Sequence, residues 1–127
     1  MLHIVETAKD VETAARDLEE AVKRNKFGVI SVLDLQQKMK EKGVEFAHAC
    51  TILEVCNPQQ ASRVLTRNMA VSTALPCRIS VYEENGRTKM ATMLPTAMLA
   101  VFPGAKDLQP IAEEVERQIL KMIDEAK

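Results

Sequence analysis

The sequence predicts an α+β domain in which a largely antiparallel sheet is covered on one face by long N- and C-terminal helices. Three observations carry this. Apolar residues recur at three- and four-residue intervals near both ends of the chain, so each end forms a helix with one stripe to bury. Between them, β-rich runs alternate with shorter helical stretches. Near the middle, Glu84-Asn85-Gly86-Arg87 separates two β-prone runs, and Asn-Gly in that setting is a strong hairpin signal. With 127 residues, 46% of them hydrophobic, the chain closes one core, so residues 1–127 read as a single domain.

Leu2-His3-Ile4-Val5 predicts a short first strand, and Thr7 with Asp10 reads as a capping box. Val11, Ala14, Ala15, Leu18, Ala21 and Val22 then define a helix over residues 8–25. Gly28 ends it, and the β-branched density of Val29-Ile30-Ser31-Val32-Leu33 predicts a buried strand. Asp34 caps a shorter helix that turns Leu35 and Met39 inward and stops at Gly43. Residues 44–56 read as one long central strand, with Phe46, His48, Cys50, Ile52, Glu54 and Cys56 on one face.

Asn57 as cap and Pro58 at the first position start a helix through about Asn68. A connection runs from Met69 to Leu75, and the hairpin strands span 77–83 and 88–94. Residues 96–102 suit a short buried helix or an edge strand. After Pro103-Gly104, Asp107 caps the last helix, with Pro110 in its first turn and a stripe from Leu108 to Ile123.

Composition excludes several classes of function. The 17 basic and 18 acidic residues leave a net charge of −1, with no block of like charge to suggest a nucleic-acid arm. Aromatic residues are 3% and Trp is absent, which removes stacking platforms for single strands. The four glycines stand alone at turns and caps, so no Gly-rich phosphate loop is formed. No stretch reaches the roughly 20 apolar residues of a membrane span, and Glu6, Lys9 and Asp10 interrupt the N-terminus, so the expectation is a cytoplasmic protein without membrane partners. Three cysteines in that compartment argue for thiol chemistry or simple burial rather than a disulfide framework.

Chemistry concentrates at Cys56-Asn57-Pro58 and Leu75-Pro76-Cys77, two thiols at the ends of two strands. Cys56 stands at a helix N-terminus, where unpaired amides favour a thiolate. Cys77 meets it if the strands are neighbours, giving a redox couple or two soft ligands for a metal or haem iron, with His48 and Glu54 as further ligands. Against this, Cys is among the most buried residue types, helix capping alone accounts for Asn57 and Pro58, and strand initiation accounts for Pro76. Cys50, mid-strand, reads as core. A satisfied histidine in the core or an interface is the simpler account of His48. Glu54 on an apolar strand needs a partner or an exposed position, and Arg78 is the partner the sequence offers. Arg63 and Arg67 share a helix face that suits an anion or, more simply, solvent.

Leu53-Glu54-Val55-Cys56-Asn57-Pro58, Leu75-Pro76-Cys77-Arg78 and Val81-Tyr82-Glu83-Glu84-Asn85-Gly86, with Lys40-Glu41-Lys42-Gly43-Val44 before them, resemble the signature stretches of the prokaryotic family called domain of unknown function 302. The resemblance runs over most of the chain and is densest from Leu33 to Pro95. It implies a compact α+β domain, found in some members as a dimer, and no established activity.

The apolar residues left on the second sheet face predict a homodimer. Three functional readings follow: a non-catalytic dimer that binds a small ligand, metal or haem near Cys56 and Cys77; a thiol redox enzyme or sensor in which Cys56 attacks and Cys77 resolves; and a structural or regulatory homodimer with no ligand.

Overall fold

In the computed structural model, which describes residues 1–127, the strands are β1 (Leu2–Thr7), β2 (Gly28–Asp34), β3 (Cys50–Cys56), β4 (Cys77–Glu84) and β5 (Arg87–Met93). They form a single sheet in the order β1-β5-β4-β3-β2, and every pairing is antiparallel. At its centre is the β4–β5 hairpin. Its two-residue turn places Asn85 at φ 53° and Gly86 at φ 75°, the pair of positive angles whose twist matches right-twisted strands.

The helices are α1 (Val11–Arg24), α2 (Leu35–Glu41), α3 (Pro58–Arg67), α4 (Pro95–Leu99) and α5 (Ala105–Ala126), with a 3-10 helix at Met69–Ala74. The stripes of α1 and α5 bury against the same sheet face. Ala14, Leu18, Ala21 and Val22 of α1 meet Ile119, Met122 and Ile123 of α5 over Leu53, Val55, Ile79, Val81 and Met90. A second cluster closes one end of the domain, where Val64, Val71, Leu99, Leu108, Ile111 and Ala112 pack together. Glu116 of α5 ties α4 to this end, since its carboxylate accepts from both the backbone N–H and the hydroxyl of Thr96.

The opposite sheet face carries no layer of long helices. Register aligns Ile4, Ala91, Ser80, Ile52 and Leu33 in one row across all five strands. Glu54–Arg78, Glu6–Arg87 and Glu84–Lys89 ion pairs flank it. One corner is bordered by the 44–49 segment, where Phe46 and His48 lie beside Cys50, Tyr82 and Glu84.

Several expectations are corrected. The long strand over 44–56 begins only at Cys50; Val44 to His48 are exposed, and the Phe46 carbonyl accepts from Gln36 rather than from a neighbouring strand. Asp10, not Thr7, caps α1, accepting from the Thr13 amide. Leu35 and Met39 are only half-buried, because α2 has no fully buried residue. Residues 95–99 are helical, with Pro95 in the first turn. Gly104, at φ 77°, stands at the start of α5 in place of Asp107. Pro110 therefore falls one turn deeper than the sequence predicts, inside the helix.

Leu53 is fully buried between β2 and β4 under both long helices. Leu53→Ala should lower stability by about 2–5 kcal/mol, the usual loss for emptying such a site. Urea denaturation should show a lower midpoint at an unchanged slope; an unaltered midpoint contradicts this packing.

Candidate functional site

The β3–β4 register sets Val55 opposite Cys77 and Glu54 opposite Arg78. Cys56, the last residue of β3, is thus one step from the residue facing Cys77. Both thiols line one cavity of about 40 Å³ between the end of the sheet and helices α3, α4 and α5. Its walls include Val55, Val64, Leu99 and Ile111, with the Met98 thioether as a third sulfur group. Asn57 and Gln60 are the polar side chains among the lining residues.

Local sequence builds this geometry. Asn57 ends β3 and caps α3, its side-chain oxygen accepting from the amides of Gln59 and Gln60. Pro58 occupies the first turn, where an absent N–H leaves no hydrogen bond unmade. On the other strand, Leu75 lines the cavity, the Leu75–Pro76 peptide is cis, and Cys77 opens β4.

The thiols behave differently from the sequence expectation. Burial raises the Cys56 pKa. The helix amides expected to favour its thiolate are engaged by Asn57, so desolvation decides. Burial, with the neighbouring Cys56 adding to it, pushes the Cys77 thiol up to about 11. Both groups are protonated near neutral pH.

The other candidates lie elsewhere. Glu54 points to the open face, where Ser31 Oγ donates to Oε1 at 2.6 Å and Arg78 Nε to Oε2 at 3.1 Å. The Ser31 hydrogen bond first, and then Arg78, hold its carboxyl below the usual value of 4.5. Arg78 is therefore the partner the sequence suggested. His48 stacks edge-on against Phe46 with ring centroids 5.5 Å apart, beside Cys50 at the start of β3. Cys56 lies at the other end of that strand, about 20 Å away at the usual rise. No group of three or more His, Cys, Asp or Glu is placed to hold a metal ion, and His48 and Glu54 do not line the cavity of the thiols. Cys50 is half-buried on the open face, its sulfur 3.8 Å from Ser80 Oγ, rather than in the core. Arg63 reaches Gln60 at 2.8 Å and Glu114 at 3.6 Å.

Two participants escaped the sequence reading. Met98 lies in the segment whose structure was open, so its direction was not defined. Ser31 faces Glu54 because of a register irregularity between Val29 and Ser31, which simple alternation does not reveal.

The profile of the family described as Domain of unknown function DUF302 matches residues 3–126. The crystal structure of an uncharacterized conserved DUF302 protein from Bacillus stearothermophilus is similar over 99% of this chain and 98% of that one. Its TM-score is 0.93 and its sequence identity 35%. No curated protein matches significantly.

Cys77 should react with iodoacetamide about 100-fold more slowly at pH 8 than a thiol of ordinary pKa, in proportion to its thiolate fraction. Mass spectrometry of the alkylated chain measures this directly, and fast labelling of Cys77 at pH 7 contradicts the burial. Glu54 has a depressed folded pKa, so its contribution is complete above its unfolded value and is lost as pH falls through the folded one. Ser31→Ala should consequently lower the urea midpoint at pH 7, with the difference from wild type shrinking below about pH 4. A difference that persists unchanged at pH 2 assigns the effect to packing instead.

Proposed function

We propose that this chain, which belongs to the DUF302 family, is a non-catalytic homodimeric binding domain whose cavity beside Cys56 and Cys77 takes a small thiophilic ligand. The observation that carries this reading is the convergence of both thiols on one apolar cavity. At about 40 Å³ the space suits an ion or a group of a few atoms, whereas larger organic ligands occupy pockets of roughly 300–1,000 Å³. A haem does not fit it.

The donors define the class of ligand. Two cysteine sulfurs and the Met98 thioether are soft and suit a monovalent ion such as Cu(I). Hard cations seek carboxylate and carbonyl oxygens, and the cavity walls hold no carboxylate. Each thiol that binds releases its proton to solvent as the sulfur–metal bond forms, because the thiolate is the metal ligand, and Met98 adds a neutral thioether.

A thiol couple is the second reading, favoured by the adjacency of Cys56 and Cys77 across β3 and β4. The raised thiol pKa values oppose it, because attack requires a thiolate.

Anaerobic titration with Cu(I) under competition from a chromogenic chelator tests the leading reading. One ion should bind per chain, with Cys56→Ser and Cys77→Ser each weakening binding by 100-fold or more and Cys50→Ser leaving it unchanged. Equal affinity in wild type and Cys56→Ser overturns the assignment. Ready formation of a Cys56–Cys77 disulfide under mild oxidation, without metal binding, selects the thiol couple.

A further inference from the structure

We infer, building on the ligand reading above, that Glu116 and Gln109 of α5 are positioning residues of the thiol cavity. By gripping Thr96 they hold α4 closed over the cavity that Cys56 and Cys77 line, keep Met98 in place as its third sulfur, and set how fast a ligand enters and leaves.

α4 cannot hold itself. It has five residues, about a turn and a half, far below the length at which a helix is stable alone. Its cap, Leu94, contributes no side-chain hydrogen bond, and Pro95 in the first turn has no N–H. The Thr96 amide is an orphan donor of that turn, and it donates to Oε1 of Glu116 at 3.1 Å. The Thr96 hydroxyl donates to the same oxygen at 2.7 Å, while Gln109 Nε2 donates to the Thr96 carbonyl at 3.2 Å. Gln109 and Glu116 stand about two turns apart on α5, so one face of that helix supplies all three bonds.

The grip acts on the cavity wall. Pro95, Met98 and Leu99 all line the cavity, and Pro95 and Leu99 are buried. Apolar packing holds α4 down but has no direction; the hydrogen bonds at Thr96 have one and fix its rotation. Successive residues of a helix are turned by about 100°, so a turn of one residue step carries Met98 off the wall. The other walls lack this freedom. β3 and β4 are interior strands, Asn57 caps α3 where it leaves β3, and α5 carries buried residues of both core clusters. α4 runs instead into the turn from Ala100 to Gly104, where Val101 is 76% exposed. It is the wall that yields when a cavity of about 40 Å³ takes up a ligand.

Alkylation of Cys77 by iodoacetamide at pH 8, read by mass spectrometry, tests this with no metal present. Glu116→Ala removes the acceptor of two Thr96 bonds and should speed Cys77 labelling about 10-fold or more, with circular dichroism unchanged. Glu116→Gln keeps a carbonyl oxygen and should label within about twofold of wild type. Leu53→Ala, in the other core cluster, should stay near the wild-type rate, and Cys50 should label alike in every sample. If Glu116→Ala fails to fold, Thr96→Val, which loses only the hydroxyl at nearly constant volume, should speed labelling about threefold. On the loaded protein, Glu116→Ala should hand Cu(I) to excess chelator about 10-fold faster or more. A wild-type labelling rate in folded Glu116→Ala overturns the positioning role. Equal acceleration in Leu53→Ala assigns the effect to general loosening and overturns it as well. Fast labelling of Glu116→Ala in a chain that binds no Cu(I) overturns the ligand reading alone and leaves the closure by α4 in place.

Discussion

The pairing of β3 with β4 is the constraint on which the rest of the molecule depends. It sets Leu53 opposite Ile79 and Val55 opposite Cys77 on the helix side, and Glu54 opposite Arg78 on the other. Side chains alternate with a period of two, so a slip of one residue exchanges the faces wholesale. Leu53, Val55, Ile79 and Val81 then lose the helices that cover them, and Glu54 and Arg78 enter the core. Such a slip is strongly disfavoured by the burial of those four side chains and by the cost of an apolar setting for the ion pair. The register that brings the thiols to one cavity is therefore held by residues that take no part in any chemistry there.

The contrast between Cys56 and Glu54 shows what decides ionisation in this fold. Two residues apart on one strand, they lie in opposite environments. Glu54 faces solvent and receives hydrogen bonds from Ser31 and Arg78, so its charged form is favoured. Cys56 turns to an apolar wall whose nearby helix amides are satisfied by Asn57, so its neutral form is favoured. A helix N-terminus stabilises a thiolate only while its amides are free to do so. Asn57 serves α3 at the expense of thiol acidity.

Those features of the sequence that rest on local chemistry read through to the structure. Asn85-Gly86 supplies its own positive φ angles, Asn57-Pro58 starts α3, and the stripes of α1 and α5 declare a common burial surface. The DUF302 resemblance covers nearly the whole chain. Features that depend on distant partners did not read through. Apolar alternation continues from Phe46 to Cys56, yet β3 begins only at Cys50, so His48 does not share the strand face that alternation assigns to it. Alternation also groups Cys56 with Glu54, whereas Cys56 lines the cavity and Glu54 pairs with Arg78 on the open face. One wall of the cavity comes from α4, which Glu116 ties in place from far along the chain. No local pattern around Cys56 encodes that contact.

The candidate cavity and the open face lie on opposite sides of the same two strands. Adjacent residues divide between them: Cys77 lines the cavity, and Arg78 joins Glu54 on the other side. This proximity does not by itself couple the two. Coupling requires an element with two arrangements that ligand and partner bias differently. β3 and β4 are interior strands, hydrogen-bonded on both edges, with fully buried side chains packed against α1 and α5. They are the least adjustable part of the fold. Any accommodation of a ligand falls instead on α4, a helix of five residues that covers the cavity and is anchored to α5 rather than to the sheet. The fold thus combines a fixed floor bearing the thiols with a short, separately tethered cover, while the open face behind the floor keeps its register.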